Sequence, residues 1–242
     1  MSVPSDTVSG SDYGTKEFIL MINVALDGPA GAGKSTIARR AAAQFNFVYI
    51  DTGAMFRSLA LKALESDIDI KSEPARVASM LDTTRLDIER AGGEQHMILD
   101  GKDVTAFIRT PEVSVAASDI AANSAVRSWL LAVERELAAK YDCIMDGRDI
   151  GTAVLPDATV KIFLTASPEE RARRRHAELI EKGHDVSFEE VLSDMKYRDK
   201  QDSERETAPL KKADDAILAD TTGLSFEESV ELVCNIIRKV MH

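Results

Sequence analysis

The sequence predicts an α/β fold: a central parallel five-stranded sheet layered between helices on both faces. Three observations lead to it. Short apolar runs alternate with helix-patterned segments along most of the 242 residues. A glycine-rich loop, Gly28-Pro-Ala-Gly-Ala-Gly-Lys-Ser-Thr36, joins a strand-like run directly to a helix-like one. From Arg85 to Ile108 the alternation changes period. Polar and apolar residues alternate there, with breaks at Gly92-Gly93 and Asp100-Gly101, which reads as a small antiparallel meander inserted into the main fold.

The first strand runs from Phe18 to Leu26, apolar apart from Asn23 and closed by Asp27. Lys34 to Phe45 is rich in Ala and Arg and free of Gly and Pro, as a helix requires. Residues 47–50 form the second strand, followed by a helix pattern over 53–66 and a short helix capped by Ser72. After the meander, Thr110-Pro111 opens one helix. The next carries Val126, Trp129, Leu130, Val133 and Leu137 on one face, which makes Trp129 a core residue. The last strands are 141–145, 160–165 and 215–219. Ser167 with Glu170, Ser187 with Glu190, and Ser225 with Glu228 are capping boxes, and Pro168 sits at a first helical position.

Composition sets outer bounds. A net charge of -11 opposes coating of nucleic acid, which needs a basic face. No apolar run approaches the roughly 20 residues that span a bilayer. Residues 1–16 mix Ser, Asp, Gly and Thr without the pattern of a secretory signal, and read as a flexible extension. Cys143 and Cys234 read as buried thiols rather than a disulfide or zinc site. A cytoplasmic monomer is expected.

The glycine-rich loop matches G-x-x-x-x-G-K-[ST] in the strand–loop–helix setting that a phosphate cradle needs. Backbone N–H groups from Gly28, Pro29, Ala30, Gly31, Ala32, Gly33, Lys34, Ser35 and Thr36 (the proline excepted) can converge on an anion, reinforced by the helix N-terminus. Lys34 would reach the outer phosphates and the Ser35 hydroxyl would ligate Mg²⁺. The loop implies a bound nucleoside triphosphate.

Three further groups bear on where the phosphate goes. Asp51-Thr52-Gly53 follows the second strand and projects Arg57 from the first turn of a helix, either as a phosphate clamp or as a solvated arginine. Asp146-Gly147-Arg148-Asp149 follows the third strand, where ligands gather in open α/β sheets. Asp146 would hold Mg²⁺ through water, Arg148 would grip phosphate and Asp149 would accept from a base or sugar; an internal Arg–Asp salt bridge is the structural alternative. Arg171, Arg173, Arg174 and Arg175, then Arg198, Asp202 and Arg205, flank a Lys182-Gly183-His184 turn, the layout of a helical lid with two basic faces. His176, His184 and His242 read as surface residues, and His96 belongs to the meander. No spacing of histidines or nucleophiles suggests a transition metal or a hydrolytic triad.

Taken in order, the P-loop, Asp51-Thr-Gly-Ala-Met-Phe-Arg57, Ile108-Arg-Thr-Pro111, Asp146-Gly-Arg-Asp149 and Arg198…Arg205-x-x-x-Pro-Leu210 resemble bacterial cytidylate kinases, from about residue 18 onward. The resemblance implies a P-loop NTPase three-layer fold with an inserted lobe for the nucleoside monophosphate (NMP) and a helical lid. It places one kinase domain at 17–242, with core segments 17–61, 111–170 and 206–242, the NMP-binding insertion at about 62–110 and the lid at about 171–205. It also implies γ-phosphoryl transfer from ATP to CMP or dCMP with Mg²⁺. Arg57, Arg148 and Arg205 would then hold the acceptor phosphate, Arg198 and Asp202 the sugar, and Ser118, Arg127 and Asp149 the cytosine. Thr52 would also contact CMP, Arg174 would lie against adenine, and Lys34, Arg148, Arg198 and Arg205 would be catalytic. Phe56 stands where a Tyr is common in this family, and Gln201 where a further lid arginine is frequent.

The residues alone raise three other chemistries. A kinase with a hydroxyl acceptor needs a base, and Asp51 is the candidate. A GTP-dependent switch needs an Asn-Lys-x-Asp reader, which the sequence lacks. An ATP-driven nucleic-acid motor conflicts with the size and acidity of the chain.

Overall fold

A computed structural model describes residues 21–241 except 92–93, 182, 184 and 205–207. β1 (Asn23–Asp27) leads through the glycine loop into α1 (Lys34–Phe45), and β2 (Val48–Asp51) into α2 (Thr52–Glu65). α3 (Pro74–Leu81) precedes the meander of β3 (Leu86–Ala91), β4 (Glu94–Leu99) and β5 (Lys102–Asp103). α4 (Pro111–Ile120) and α5 (Ser124–Lys140) lead to β6 (Cys143–Gly147), then to a single π turn at Ile150–Val154. β7 (Val160–Thr165), α6 (Pro168–Glu181), α7 (Phe188–Glu204), β8 (Ile217–Asp220) and α8 (Phe226–Met241) complete the order.

The main sheet runs β2-β6-β1-β7-β8 with every neighbour parallel. The meander forms a separate antiparallel sheet, β3-β4-β5. Residues along a strand point alternately to its two faces, and this separates two cores. Val24 and Leu26 of β1 pack with α1 and α8 through Ile37, Ala38, Val233 and Ile237. Ala25, Ile50 and Met145 face the other way, onto Met55, Leu59 and Leu130, and the same core continues into Leu86, Met97 and Leu99 of the meander. Main sheet and insertion thus share apolar contacts. Trp129 packs against this second core, and both cysteines are free and buried.

Several boundaries differ from the sequence reading. The first strand begins at Asn23; residues 18–20 lie outside the described part, as does the 1–16 extension. The third strand moves to Cys143–Gly147, because Tyr141 serves as the C-cap of α5 and the Asp142 carboxylate accepts the N–H of Ile22. This shift sets Asp146 and Gly147 inside the sheet, opposite Leu26 and Asp27. Ser72 does not cap α3: Glu73 occupies that position without a side-chain cap, and Asp69 accepts the N–H groups of Lys71 and Ser72 in the preceding turn. The boxes at Ser187 and Ser225 are reciprocal, as expected. At Ser167 only half forms, since Glu170 turns to Arg173 and Arg174 while Thr222 takes the Ser167 N–H.

Candidate active site

Close packing dictates the glycine loop. A side chain at Gly28 would place its Cβ 1.9 Å from the carbonyl oxygen of Leu164, and Gly33, the N-cap of α1, has φ 86. A Cβ is thus excluded at Gly28, and at Gly33 the left-handed backbone favours glycine. Lys34 is buried, with Nζ donating to the carbonyls of Gly28 (2.7 Å) and Pro29 (2.8 Å). An ammonium has three donors, so one is left for a ligand. Burial, and then the Arg148 guanidinium, pull its pKa below the usual lysine range. An anion in the cradle reverses that shift.

Asp146 closes the site on the β6 side. Its Oδ2 accepts from Ser35 Oγ at 2.7 Å, its Oδ1 from Tyr49 at 3.1 Å, and its carbonyl from Thr52 Oγ1 at 2.9 Å. Burial, then the neighbouring Asp51, raise the Asp146 carboxyl above its ordinary range. Two buried carboxylates beside a hydroxyl next to a phosphate cradle form a hard-oxygen set that a divalent cation relieves. Mg²⁺ takes one or two such protein ligands and completes its shell with phosphate and water. Ser35 and Asp146 fit that ion. Among the described residues no group of three or more His, Cys, Asp or Glu forms a cage for a metal.

The acceptor side is built from α2, α5 and the turn after β6. Asp51 caps α2, accepting the N–H of Ala54 at 2.8 Å, and pairs with Arg57 at 3.1 Å; Arg109 stands 4.0 Å away. Asp51 is thus committed to structure and does not have the freedom of a base. Arg57 is clamped rather than solvated, and its buried Nε has no hydrogen-bond partner among the described residues. Arg148 and Asp149 do not pair with each other. Arg148 Nε donates to Asp202 of α7 at 2.9 Å, whereas Asp149 accepts from Arg127 of α5 at 2.6 Å. The Arg127 guanidinium lies 5.9 Å from the centre of the Phe56 ring, so the residue that lacks a tyrosine hydroxyl keeps a cation–π role. Ser118 is exposed on α4, and its hydroxyl makes no hydrogen bond among the described residues.

The arginine-rich helices depart from the expected basic faces. Arg171 is 3% exposed and donates to the P-loop carbonyl of Ala30 at 3.0 Å and to both carboxylate oxygens of Asp199. Arg173 and Arg174 pair with Glu170, and Arg175 with Glu178. Arg174 also donates to the carbonyl of Thr221 at 2.8 Å, beyond β8. Helical spacing places Arg171, Arg174 and Arg175 on one face but does not show their acidic partners. His176, expected at the surface, is half-buried between α6 and α7, with Nε2 3.0 Å from the carbonyl of Val186 and its ring edge-on to Phe188. Arg205 lies outside the described residues, as do His184 and His242; the backbone of Arg198 and Gln201 belongs to α7, and their side chains lie outside the description.

A family model for cytidylate kinase matches residues 24–239. The cytidylate kinase of Caldicellulosiruptor saccharolyticus is 49% identical over 220 residues, covering 91% of this chain and 97% of the relative. Those of Carboxydothermus hydrogenoformans and Bacillus cereus are each 48% identical, over 216 and 219 residues, with 89% and 90% of this chain and 97% of each relative covered. The chain belongs to the cytidylate kinase family. It is a kinase, and the absence of a free base at Asp51 accords with an acceptor that is itself a phosphate.

Two buried carboxyls of this cytidylate kinase family member escaped the sequence reading, Asp27 and Glu134. Asp27 ends an apolar strand run, and Glu134 falls at four-residue spacing on the buried stripe of Val126, Leu130 and Ala138; that mismatch is the signal available. Glu134 on α5 is 4% exposed; burial, then the charge of Asp149, push its carboxyl up to about 8. The folded chain therefore holds this proton more tightly than the unfolded chain. The stability it contributes is full below the ordinary value of 4.5 and is lost as pH rises toward about 8. Glu134→Gln is expected to melt above the wild type at about pH 9, with the difference shrinking to nothing toward about pH 4.5. Melting curves that stay parallel across this range would show that Glu134 titrates normally.

Proposed function

We propose that this protein transfers the γ-phosphoryl group of ATP to CMP and dCMP, forming CDP or dCDP with ADP as co-product in pyrimidine nucleotide metabolism. The observation that carries the proposal is the end of β6 with the turn that follows it. Asp146 of the strand meets Ser35 of the glycine loop, while Arg148 and Asp149 in the turn, two and three residues on, face α7 and α5. One strand end thus touches both the glycine loop and the proposed acceptor pocket.

In this reading the loop from Gly28 to Thr36 holds the donor phosphates, with Arg174 toward adenine. Arg57, Arg148 and Arg205 hold the acceptor phosphate, Arg198 and Asp202 the sugar, and Ser118, Arg127 and Asp149 the cytosine. Thr52 acts through the carbonyl of Asp146, to which its hydroxyl is bound. The acceptor oxygen is already anionic near neutral pH, so no general base is required. Alignment and charge cancellation between two polyanions supply the rate, through Lys34 and the arginines. Ser35, and Asp146 through a water, would hold Mg²⁺, which when bound would neutralise charge on the donor phosphates. The NMP-binding insertion spans about 62–110 and the lid about 171–205 of one kinase domain. The acidic balance and the paired lid arginines favour a small-molecule acceptor over nucleic acid. The free thiols suit a cytoplasmic setting, the protein is proposed to act as a monomer, and among the described residues no helix is long and apolar enough to cross a membrane.

ADP production with ATP and a panel of monophosphates, alcohols or no acceptor tests the reading. CMP and dCMP should lead; an alcohol turned over in their place would overturn it. Lid closure is a second expectation. Among the described lid residues, Arg171, Arg173, Arg174 and Arg175 already have carboxylate partners. Arg148 of the acceptor turn already bridges to Asp202 of α7 at 2.9 Å, so bound phosphates act on a lid that is joined to the acceptor side. Hydrogen exchange in α7 should slow with an ATP analogue plus CMP, and more than with either alone. Unchanged exchange with both would remove the lid.

A further inference from the structure

Asp27, the last residue of β1, is 4% exposed and makes two hydrogen bonds to the far side of the acceptor turn. Its Oδ1 accepts the N–H of Ile150 at 2.8 Å, and its Oδ2 the N–H of Gly151 at 2.7 Å. These are the first two residues of the π turn, whose N-terminal N–H groups have no partner inside it. Burial pushes the Asp27 carboxyl up to about 6 while these two bonds hold it down, so at neutral pH both oxygens still accept.

The residue placed to cap that turn from within is Asp149. It occupies the N-cap position, yet its side chain makes no cap bond. Elsewhere this chain follows the local rule. Asp51 caps α2 through Ala54, Asn123 caps α5 through Ala125 and Val126, and Asp69 accepts from Lys71 and Ser72. Asp149 departs from it where a carboxylate from another strand has already taken the N–H groups. Its own carboxylate turns to Arg127 instead. Gly151 admits this arrangement, since a Cβ there would stand 3.3 Å from Asp27 Oδ2 and 3.3 Å from the Lys161 side chain.

We propose that Asp27 is a positioning residue that caps the acceptor turn in place of Asp149, and so keeps the Asp149 carboxylate aimed at Arg127 and the base of the acceptor. Asp27 immediately precedes Gly28, so one residue ties the donor cradle to the group that reads the acceptor. The inference rests on Asp149 reading cytosine. Without Asp27, the Asp149 carboxylate, which holds the N-cap position, is free to swing back and cap its own turn.

The test is the ratio of kcat/KM for CMP to that for UMP in Asp27→Asn, Asp149→Ala and the double variant. Asn presents one oxygen and sets an amide N–H against the other donor. Asp27→Asn should lower the ratio by about tenfold or more while the KM for ATP moves less than about twofold. In the Asp149→Ala background it should not change the ratio again, because both act through one carboxylate. Equal losses on CMP and UMP, or a second full loss in the double variant, would overturn the proposal and leave Asp27 a purely structural group. Gly151→Ala crowds the same contact and should shift the ratio in the same direction. It decides the matter if Asp27→Asn does not fold. If the wild type shows no preference for CMP, or Asp149→Ala leaves that preference intact, the reading of the acceptor pocket fails, whatever Asp27 does.

Discussion

Lys34→Ala is expected to lower phosphoryl transfer by about a thousandfold or more while leaving the melting temperature of the ligand-free protein nearly unchanged. The two halves have separate causes. Removing the ammonium deletes a cation from the cradle formed by the glycine loop, where in the proposed reading its remaining donor meets the incoming phosphates. Charge developing on the transferred group then has no fixed positive partner on that side. For stability the losses and gains oppose. The carbonyls of Gly28 and Pro29 each lose a donor, but a buried cation whose pKa burial and Arg148 have already depressed is removed as well. Turnover with ATP and CMP and melting with and without nucleotide measure both. The stabilisation conferred by nucleotide should shrink with the lost affinity. Near-normal turnover would remove the phosphate-binding role of the loop, and a large fall in the ligand-free melting temperature would make Lys34 a core residue.

What could be read from the chain is what is local. The strand–loop–helix around Gly28 to Thr36 is legible because glycine spacing and helix entry sit within a dozen residues. The Asp146–Asp149 turn is legible because charge clusters around a glycine at a strand end. The meander shows itself through its change of period, and α1 through its uninterrupted helix formers. What was not legible depends on partners far apart in sequence. Arg171 reads as one of a run of surface arginines, but Asp199 and the carbonyl of Ala30 make it a buried strut between α6, α7 and the glycine loop. Asp27 reads as a strand terminator until Ile150 and Gly151 come against it. The third strand was misplaced by two residues because Tyr141 belongs to the end of α5. That small shift matters, since it sets the Asp146 carboxylate opposite Ser35. Phe56 reads as a lost hydroxyl and becomes a face for Arg127.

Asp149→Ala is expected to cost about 2–4 kcal/mol of transition-state stabilisation with CMP and much less with UMP, so that the CMP/UMP ratio in kcat/KM falls. A carboxylate accepts from the exocyclic amino group of cytosine, whereas it meets only another acceptor at the corresponding oxygen of uracil. The structure adds a second consequence. Asp149 also neutralises Arg127, at 2.6 Å in a site where the two side chains are 14% and 13% exposed. The alanine variant leaves that cation half-buried over Phe56, and some loss of melting temperature accompanies it. Asp149→Asn separates the two effects. Its amide has nearly the same shape, but it turns either its oxygen to cytosine or its N–H₂ to the uracil carbonyl. Preference for CMP should therefore collapse with asparagine while more turnover survives than with alanine. Equal losses on both substrates would assign Asp149 a general role in holding the acceptor. Preserved discrimination would pass base reading to Ser118 and Arg127. A variant that melts without changing the ratio would reduce the Arg127–Asp149 pair to a structural bridge between α5 and the turn after β6.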